Sequence, residues 1–216
     1  MDRSTARSTR RGNYARGAAA RTRILETATA MFGEHGYRGT SLAAVGRAAG
    51  MTQQGVLHHF PTKADLLMAV LEERDRHDRR IWPDDRGFVG TEVLDAWDRT
   101  VAANVARYGL VRLAHILAAE AVESEHPARE HFLAHVEIGR EMLREGFAAG
   151  VEAGELRADL DYELVIRQVI AMSEGLENQW LLDPEGLDIV ACFHDYTRQL
   201  RAHLRRPDRT PEEEST

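Results

Sequence analysis

Apolar residues recur along most of the chain at intervals of three or four positions, the spacing that predicts amphipathic α-helices. Ile24, Ala28 and Phe32 follow it in the first such segment, which Gly36 ends. Sustained two-residue alternation, which is typical of a half-buried strand, is not found. The pattern therefore predicts an all-α protein of about nine helices.

Capping residues predict where the helices begin and end. Thr40 or Ser41 is expected to cap a short second helix, Gly50 to end it, and Thr52 to cap a third. A capping-box spacing at Thr62 predicts the start of a fourth. Five longer helices are then expected near residues 91–106, 109–124, 127–153, 161–182 and 185–205.

These elements suggest four parts. Residues 1–16 are polar, Arg-rich and aperiodic, and are predicted to be a disordered basic arm, either following the DNA backbone or simply a solvated tail. Residues 17–80 are predicted to form a domain that contains a three-helix helix-turn-helix. Residues 81–206 should form a helical bundle, and residues 207–216 a disordered tail.

Charge is unevenly spread along the 216 residues. The first 60 residues carry nine arginines and three acidic residues, although the whole chain has a net charge of −7. A basic head on an acidic body favours a protein that contacts nucleic acid with one end only. Because no apolar run is long enough to span a membrane, we expect a cytoplasmic protein, nucleoid-associated when bound to DNA. The single cysteine, Cys192, allows no internal disulfide and is expected to be a small buried apolar residue.

Residues 40–60 carry the chemistry. A short helix, a tight turn at Gly50 and a second short helix form the helix-turn-helix pattern. Val45 and Val56 can be buried between the helices, which leaves the polar side of the second helix exposed. Glutamine can make a bidentate contact to adenine in the major groove, so Gln53 and Gln54 are candidate base-reading residues. Alanine-rich helical hairpins also occur in enzymes, so the motif alone does not decide the function.

Phosphate contacts are expected at helix N-termini, where free N–H groups and the helix dipole favour anions. Thr40, Thr52 and Lys63 stand at the starts of three predicted helices. A lysine in the first turn of a helix works against the dipole unless an anion, such as a DNA phosphate, is bound there.

Residues 20–75 resemble the DNA-binding domain of the TetR family of bacterial regulators. The resemblance is carried by Ile24, Ala28, Phe32, Gly36, Thr40, Ser41, Ala48, Ala49, Gly50, Met51, Thr52, His59, Phe60, Lys63, Leu66 and Leu67 at the family's spacing. It implies a symmetric dimer that places two helix-turn-helices in successive major grooves. The DNA-binding residues that it implies are Thr40, Ser41, Thr52, Gln53, Gln54, Gly55, His58, His59 and Lys63.

Two positions depart from the family pattern. Leu57 stands where the family usually has a tyrosine that meets a phosphate, so that contact is lost or moved to His58 or His59. Gln54 replaces a frequent glycine, which adds a possible base-reading side chain. Neither change threatens the fold.

The C-terminal half resembles BetI-like and related members of the family, through GELRADLD before a long helix and QWLLDPEGLD before the last one. Two adjacent apolar helices there could form a monomer's core, but the resemblance implies a four-helix dimer interface. The interface residues expected are Val165, Val169, Met172, Leu176, Val190, Phe193, Thr197 and Leu200.

A ligand pocket is expected among the middle helices, although sequence cannot separate pocket from ordinary core. Its candidate residues are Trp97, Tyr108, His115, Phe132, His135, Met142 and Trp180. His131 and His135 have a spacing that can hold a metal, but no third ligand is evident, so no metal and no cofactor are expected.

The sequence thus predicts a homodimeric repressor that binds a palindromic operator in double-stranded DNA and is released by a small-molecule effector. An enzyme is the second hypothesis. It finds little support, because phosphate loops, nucleophile elbows and metal signatures are missing, and a solvated helix face explains Glu120, Glu123 and Glu125. A DNA-binding architectural protein without a ligand is the third.

Overall fold

A computed structural model of the protein describes the backbone of residues 3–78 and 87–205, and the side chains of residues 16–76 and 87–205. Its described residues form helices without a named β-strand, as the sequence predicts. Nine helices lie among them: α1 (Arg3–Gly39), α2 (Leu42–Ala48), α3 (Gln53–His59), α4 (Lys63–Asp78), α5 (Glu92–Val105), α6 (Tyr108–Glu120), α7 (Arg129–Glu152), α8 (Tyr162–Leu182) and α9 (Ile189–Leu204).

The structure describes most of the N-terminal segment of the chain but not the C-terminal tail. The predicted tail, residues 207–216, lies outside the described residues, as does most of the predicted boundary region around residue 80. Helix α1 begins at Arg3, so it covers most of the segment for which the sequence predicts a disordered arm. Arginine, the most frequent residue of that segment, has high helix propensity.

Capping side chains fix several of the helix boundaries. Gly36 has a φ of 71° and interrupts α1, at the position where the sequence predicts its end. Asp161 caps α8 by accepting from the Glu163 and Leu164 N–H groups. Helix α9 begins at Ile189, later than expected, because Asp188 and not Pro184 starts it.

The chain forms two compact units, and neither is continuous in sequence. Unit 1 consists of residues 1–77 and 109–132, and unit 2 of residues 78–108 and 133–216. The first break falls close to the predicted domain boundary, but residues 109–132 join the N-terminal unit. The reason is apolar packing, since Leu113 and Leu117 are fully buried in the same core as Phe32 and Leu67.

Each unit has its own core. That of unit 1 combines α1 to α4 with residues from 109–132, and includes Val45 and Val56. That of unit 2 centres on the fully buried Phe147 and Ile166. Among the described residues, no helix combines the length and the apolar character that crossing a bilayer requires.

Candidate nucleic-acid interface

Helices α2 and α3 cross at close range around a tight turn. Gly50 has a φ of 71° and turns the chain between them. A Cβ atom at Gly46 would lie 3.1 Å from the carbonyl oxygen of Met51, so the first helix of the pair needs a glycine where it meets the turn. Val45 and Val56 are fully buried. This is the helix-turn-helix geometry that the sequence predicts.

Hydroxyl caps set the start of both short helices. The Ser41 side chain accepts from the Ala44 N–H at 3.2 Å, and the Thr52 side chain accepts from the Gly55 N–H at 3.1 Å. Ser41 rather than Thr40 is therefore the cap of α2. With Thr52 as its cap, α3 begins at Gln53, and its first turn is held in place.

The predicted base-reading side chains lie on the solvent side of α3. Gln53, Gln54 and His58 are exposed, whereas Val56 on the opposite side is fully buried. The ring of His59, half-buried, lies edge-on to that of His58 with 5.4 Å between centroids. The helix thus presents two glutamine amides and an imidazole, groups that can donate to and accept from base edges.

Other predicted residues of this surface have different surroundings. Gly55 and Leu57 are half-buried, and Ser41 is exposed. Thr40 is only 2% exposed, and its hydroxyl donates to the carbonyl oxygen of Gly36 at 2.9 Å. Because that hydroxyl is engaged within the chain, a phosphate at the start of α2 would meet Ser41 instead.

Lys63 also has partners within the chain. Its ammonium donates to the carbonyl oxygens of Tyr37 at 2.9 Å and Thr40 at 3.0 Å, and lies 4.2 Å from the centroid of the Tyr37 ring. Burial lowers the pKa of Lys63, and the charge of Glu120 acts in the opposite direction. The sequence predicts that a DNA phosphate balances the charge of this lysine. In the structure, the partially negative carbonyl oxygens of Tyr37 and Thr40 are its partners instead.

We expect Lys63→Met to lower the free energy of unfolding by about 1–3 kcal/mol, because two carbonyl groups lose a charged donor. The dependence of DNA affinity on salt should stay as in the wild-type chain. The measurements are thermal unfolding and DNA titrations at several salt concentrations. A salt slope reduced by about one would instead place Lys63 on a phosphate.

Arg47 is a candidate that the sequence analysis missed. It is exposed in the last turn of α2, and the first helix of a helix-turn-helix crosses the DNA backbone. The signal was available, since it is the single arginine within residues 40–60. Arg47→Met is the matched partner of Lys63→Met: it should reduce the salt slope by about one while leaving unfolding unchanged.

A buried histidine lies in unit 1 at the turn between α6 and α7. His126 is only 8% exposed, and its Nδ1 accepts from the Ala128 N–H at 3.2 Å. Burial lowers the pKa of His126 below its ordinary value of 6.5; Arg38 adds to this shift, and Glu120 and Glu123 oppose it. The neutral ring is thus the favoured form in the folded chain.

We therefore expect acidification to destabilise the chain through this residue. Below pH 6.5 the unfolded chain binds a proton at His126 that the folded chain does not, so stability falls as the pH drops through that value. The test compares unfolding of wild type and His126→Gln at about pH 7.5 and about pH 5.5, where the variant should lose less. His35→Gln, at an exposed histidine, gives the effect of the same substitution without burial. Equal losses for wild type and His126→Gln would contradict the prediction.

The predicted pocket residues are divided between the units. Within unit 2, the Trp97 ring fills space beside Gly139, where a Cβ atom would lie 3.0 Å from it. Tyr108 donates to the carbonyl oxygen of Leu181 at 3.1 Å, and its ring lies edge-on to the buried Trp180. These contacts are packing contacts, and they leave the ligand pocket a prediction.

The remaining pocket candidates are half-buried in both units. Phe132 packs against the core of unit 1, and His115 lies in the same unit. His135 and Met142 lie in unit 2. His131, the other half of the suggested metal pair, has its Nε2 3.3 Å from Oδ2 of Asp75. Within the described residues no group of three or more metal-ligating side chains is found.

Five of the eight residues expected at the dimer interface are buried inside the single chain. Their side chains belong to the interior of unit 2 because they lie on the inner sides of α8 and α9. They are Val165, Val169, Phe193, Thr197 and Leu200. Their place in a dimer interface stays a prediction. Cys192, expected in the core, is exposed.

The other side of α8 carries an unexpected exposed stripe. Leu164 is 57% exposed and Met172 38% exposed, and Gln168, Gly175 and Gln179 continue the same face at helical spacing. An open groove of about 470 Å³ runs along most of it. Three of the eight expected interface residues have accessible positions here: Met172 and Leu176 line this groove, and Val190 of α9 is exposed.

Comparison with known proteins places the helix-turn-helix in a family. Residues 24–70 match the family described as "Bacterial regulatory proteins, tetR family". The HTH-type transcriptional repressor KstR2 of Rhodococcus jostii is 25% identical over 163 residues, which cover 68% of this chain and 72% of that protein. The BetI-like character of the C-terminal half stays a prediction, because the family match ends at residue 70.

Solved structures share the fold over most of the chain. The structure of NalD, the secondary repressor of the MexAB-OprM multidrug efflux pump in Pseudomonas aeruginosa, has a TM-score of 0.68 and 25% identity, covering 88% of this chain and 98% of that one. A complex of SmeT with triclosan has the same TM-score at 22% identity, covering 88% and 93%, and so supports the fold alone.

Proposed function

Since the chain belongs to the TetR family of bacterial transcriptional regulators, we propose that it is a repressor that binds a palindromic operator as a homodimer and is released by a small-molecule effector. The observation that carries the proposal is the exposure of Gln53 and Gln54 at the start of α3, opposite the buried Val56. A short helix held by its cap at Thr52, with polar side chains directed to solvent, suits insertion into the major groove.

Dimerisation would supply the affinity that one short helix cannot. Two copies of α3 must be separated by one helical turn of DNA, about 34–36 Å, to enter successive major grooves. The exposed stripe on α8 supports such a dimer, because it places two exposed apolar side chains, Leu164 and Met172, on one face of the helix, and grouped exposed apolar side chains mark interaction sites. Close approach of two helices there is helped by Ala171 and Gly175, which have small or no side chains.

Release by an effector would be a shift between two populations of the dimer. The effector would favour an arrangement in which the separation of the two α3 helices no longer matches the DNA, so that operator affinity falls. Candidate contact residues in unit 2 are Trp97, Tyr108, His135, Met142 and Trp180. Pockets for small molecules are mostly lined by apolar and aromatic side chains, so a small, largely apolar molecule is the kind of effector to be tested.

The direct test is selection of a binding sequence by the full chain. Random double-stranded DNA and the DNA flanking the coding region are offered to the protein, and the retained sequences are read. We expect an inverted repeat whose half-sites are about one helical turn apart, bound at least about a thousandfold more tightly than scrambled DNA of the same length. Retention without a common sequence would contradict the proposal. Titration of the selected duplex against apolar small molecules then tests release.

A further inference from the structure

The turn between α6 and α7 touches the junction between α1 and α2, and both lie in unit 1. We call residues 120–128 the corner and residues 36–41 the junction. The junction matters for DNA binding because it ends at Ser41, the cap of the first helix of the helix-turn-helix. Helices that meet DNA are positioned by the segments at their ends, so contacts to the junction set the orientation of α2.

Glu120 makes the central contact. Its carboxylate accepts from the backbone N–H of Tyr37 at 2.7 Å. A Cβ atom at Gly36 would lie 2.4 Å from the nearer oxygen of this carboxylate, so the glycine leaves the space that Glu120 occupies. Gly36 also has a φ of 71°, a conformation that other residues rarely adopt. Hence the interruption of α1 and the carboxylate fit each other.

His126 supports this contact from the other side. Because its Nδ1 accepts from the Ala128 N–H, the neutral ring carries its hydrogen on Nε2, which lies 3.8 Å from Oε2 of Glu120. The same ring lies edge-on to that of Tyr37, with 5.1 Å between centroids. An ion pair between Arg38 and Glu123 also joins the corner to the junction.

The contacts continue from Tyr37 to the start of α2. Lys63 lies over the Tyr37 ring and donates to the carbonyl oxygens of Tyr37 and Thr40. The Thr40 hydroxyl returns to Gly36. An unbroken series of contacts thus leads from a carboxylate on α6 to the residue that precedes the cap of α2.

The sign of the charge makes this placement notable. An acidic residue in the unit that binds DNA repels phosphates and weakens binding to any sequence. A solvated helix face would explain Glu120 only if its carboxylate had no role inside the chain, whereas it accepts a backbone hydrogen bond across 83 positions of sequence.

We propose that Glu120 is a positioning residue for operator recognition, and that the corner is a part of the DNA-binding unit that holds α2, and with it α3, in the orientation that fits the major groove. The inference rests on the proposed function, since it needs an operator to be recognised. It goes beyond that function by assigning a role in DNA binding to residues that lie far from the helix-turn-helix in sequence and do not touch DNA.

The experiment compares Glu120→Ala with Glu120→Gln. Both remove the same negative charge, but the glutamine side-chain oxygen can still accept from the Tyr37 N–H. Affinities are measured for the duplex that the wild-type chain selects and for a scrambled duplex of the same length, at a temperature well below unfolding of every variant. Glu125→Ala, at an exposed acid of the same corner, is the matched control for loss of charge.

We expect Glu120→Ala to weaken binding of the selected duplex by about tenfold, the effect of losing one hydrogen bond to a charged group, without weakening binding of the scrambled duplex. The affinity of Glu120→Gln for the selected duplex should lie within about threefold of the wild-type affinity. Glu125→Ala should bind each duplex at least as tightly as the wild-type chain does. Hydrogen exchange should become faster at the Tyr37 amide in the alanine variant only.

Two results would overturn the inference. One is that Glu120→Ala binds the selected duplex as tightly as Glu125→Ala does. The other is equal loss of affinity for both duplexes, because a merely destabilised chain would lose both together. If the wild-type chain selects no sequence at all, the proposed function itself fails, and this outcome is distinct from the first two.

Discussion

Replacing Gln53 or Gln54 with alanine is expected to weaken binding of the operator by about 1–3 kcal/mol for each residue, and to relax the preference for the bases it contacts. Both side chains are exposed at the start of α3, and a glutamine amide pairs with adenine through two hydrogen bonds. Truncation leaves those base edges without partners but does not alter the buried side of the helix, where Val56 lies.

The measurement is affinity for the selected duplex and for single-base variants of it. Affinity for scrambled DNA and its salt dependence should stay unchanged, because neither glutamine carries charge. Gln199→Ala, an exposed glutamine on α9 in unit 2, serves as the matched control and should bind like wild type. If the variants at positions 53 and 54 kept the full base preference, α3 would not be the recognition helix.

Met172→Asp is expected to separate the dimer. Met172 lies in the middle of the exposed stripe on α8, so in the proposed dimer it would be buried against the partner. Placing an unpaired carboxylate in an apolar interface costs several kcal/mol, so the dissociation constant of the dimer should rise at least about a hundredfold. Because each chain alone presents one α3 helix, operator affinity should fall when dimerisation is lost.

Sedimentation across a range of protein concentrations measures the dimer, and titration of the selected duplex measures the consequence. Ile138→Asp makes the same kind of change at a position of α7 that is 62% exposed, and should leave both unchanged. A Met172→Asp chain that is still dimeric would show that the exposed stripe is not the interface. A chain that is monomeric yet binds the operator with full affinity would show that dimerisation is not needed.

Local signals in the sequence were sufficient for the helices and for the helix-turn-helix. Caps such as Thr52 act within three residues, and Gly50 and Gly36 have backbone conformations that glycine adopts readily. The exposure of Gln53 and Gln54 follows from the same local pattern, since burying Val56 leaves them on the other side of α3. These features depend on residues that are neighbours along the chain.

Contacts between distant residues were not predicted, for a physical reason. Lys63 finds its carbonyl partners 26 and 23 positions away, and Glu120 finds the Tyr37 amide 83 positions away. A charge at a helix end is compatible with a phosphate or with an internal carbonyl, and periodicity does not distinguish the two. The exposed face of α8 was not predicted for a similar reason, because α8 is apolar on two sides and the sequence does not say which side faces the core.

The membership of residues 109–132 in unit 1 affects how such a protein can be divided. A fragment ending near residue 77 would lack Leu113 and Leu117, and would leave the side of the Phe32 core that they cover open to water. A chimeric protein made by joining residues 1–77 to part of another protein would therefore have an incomplete core in this unit. An exchange of unit 1 between two such proteins would require grafting two separate stretches, residues 1–77 and 109–132, at once.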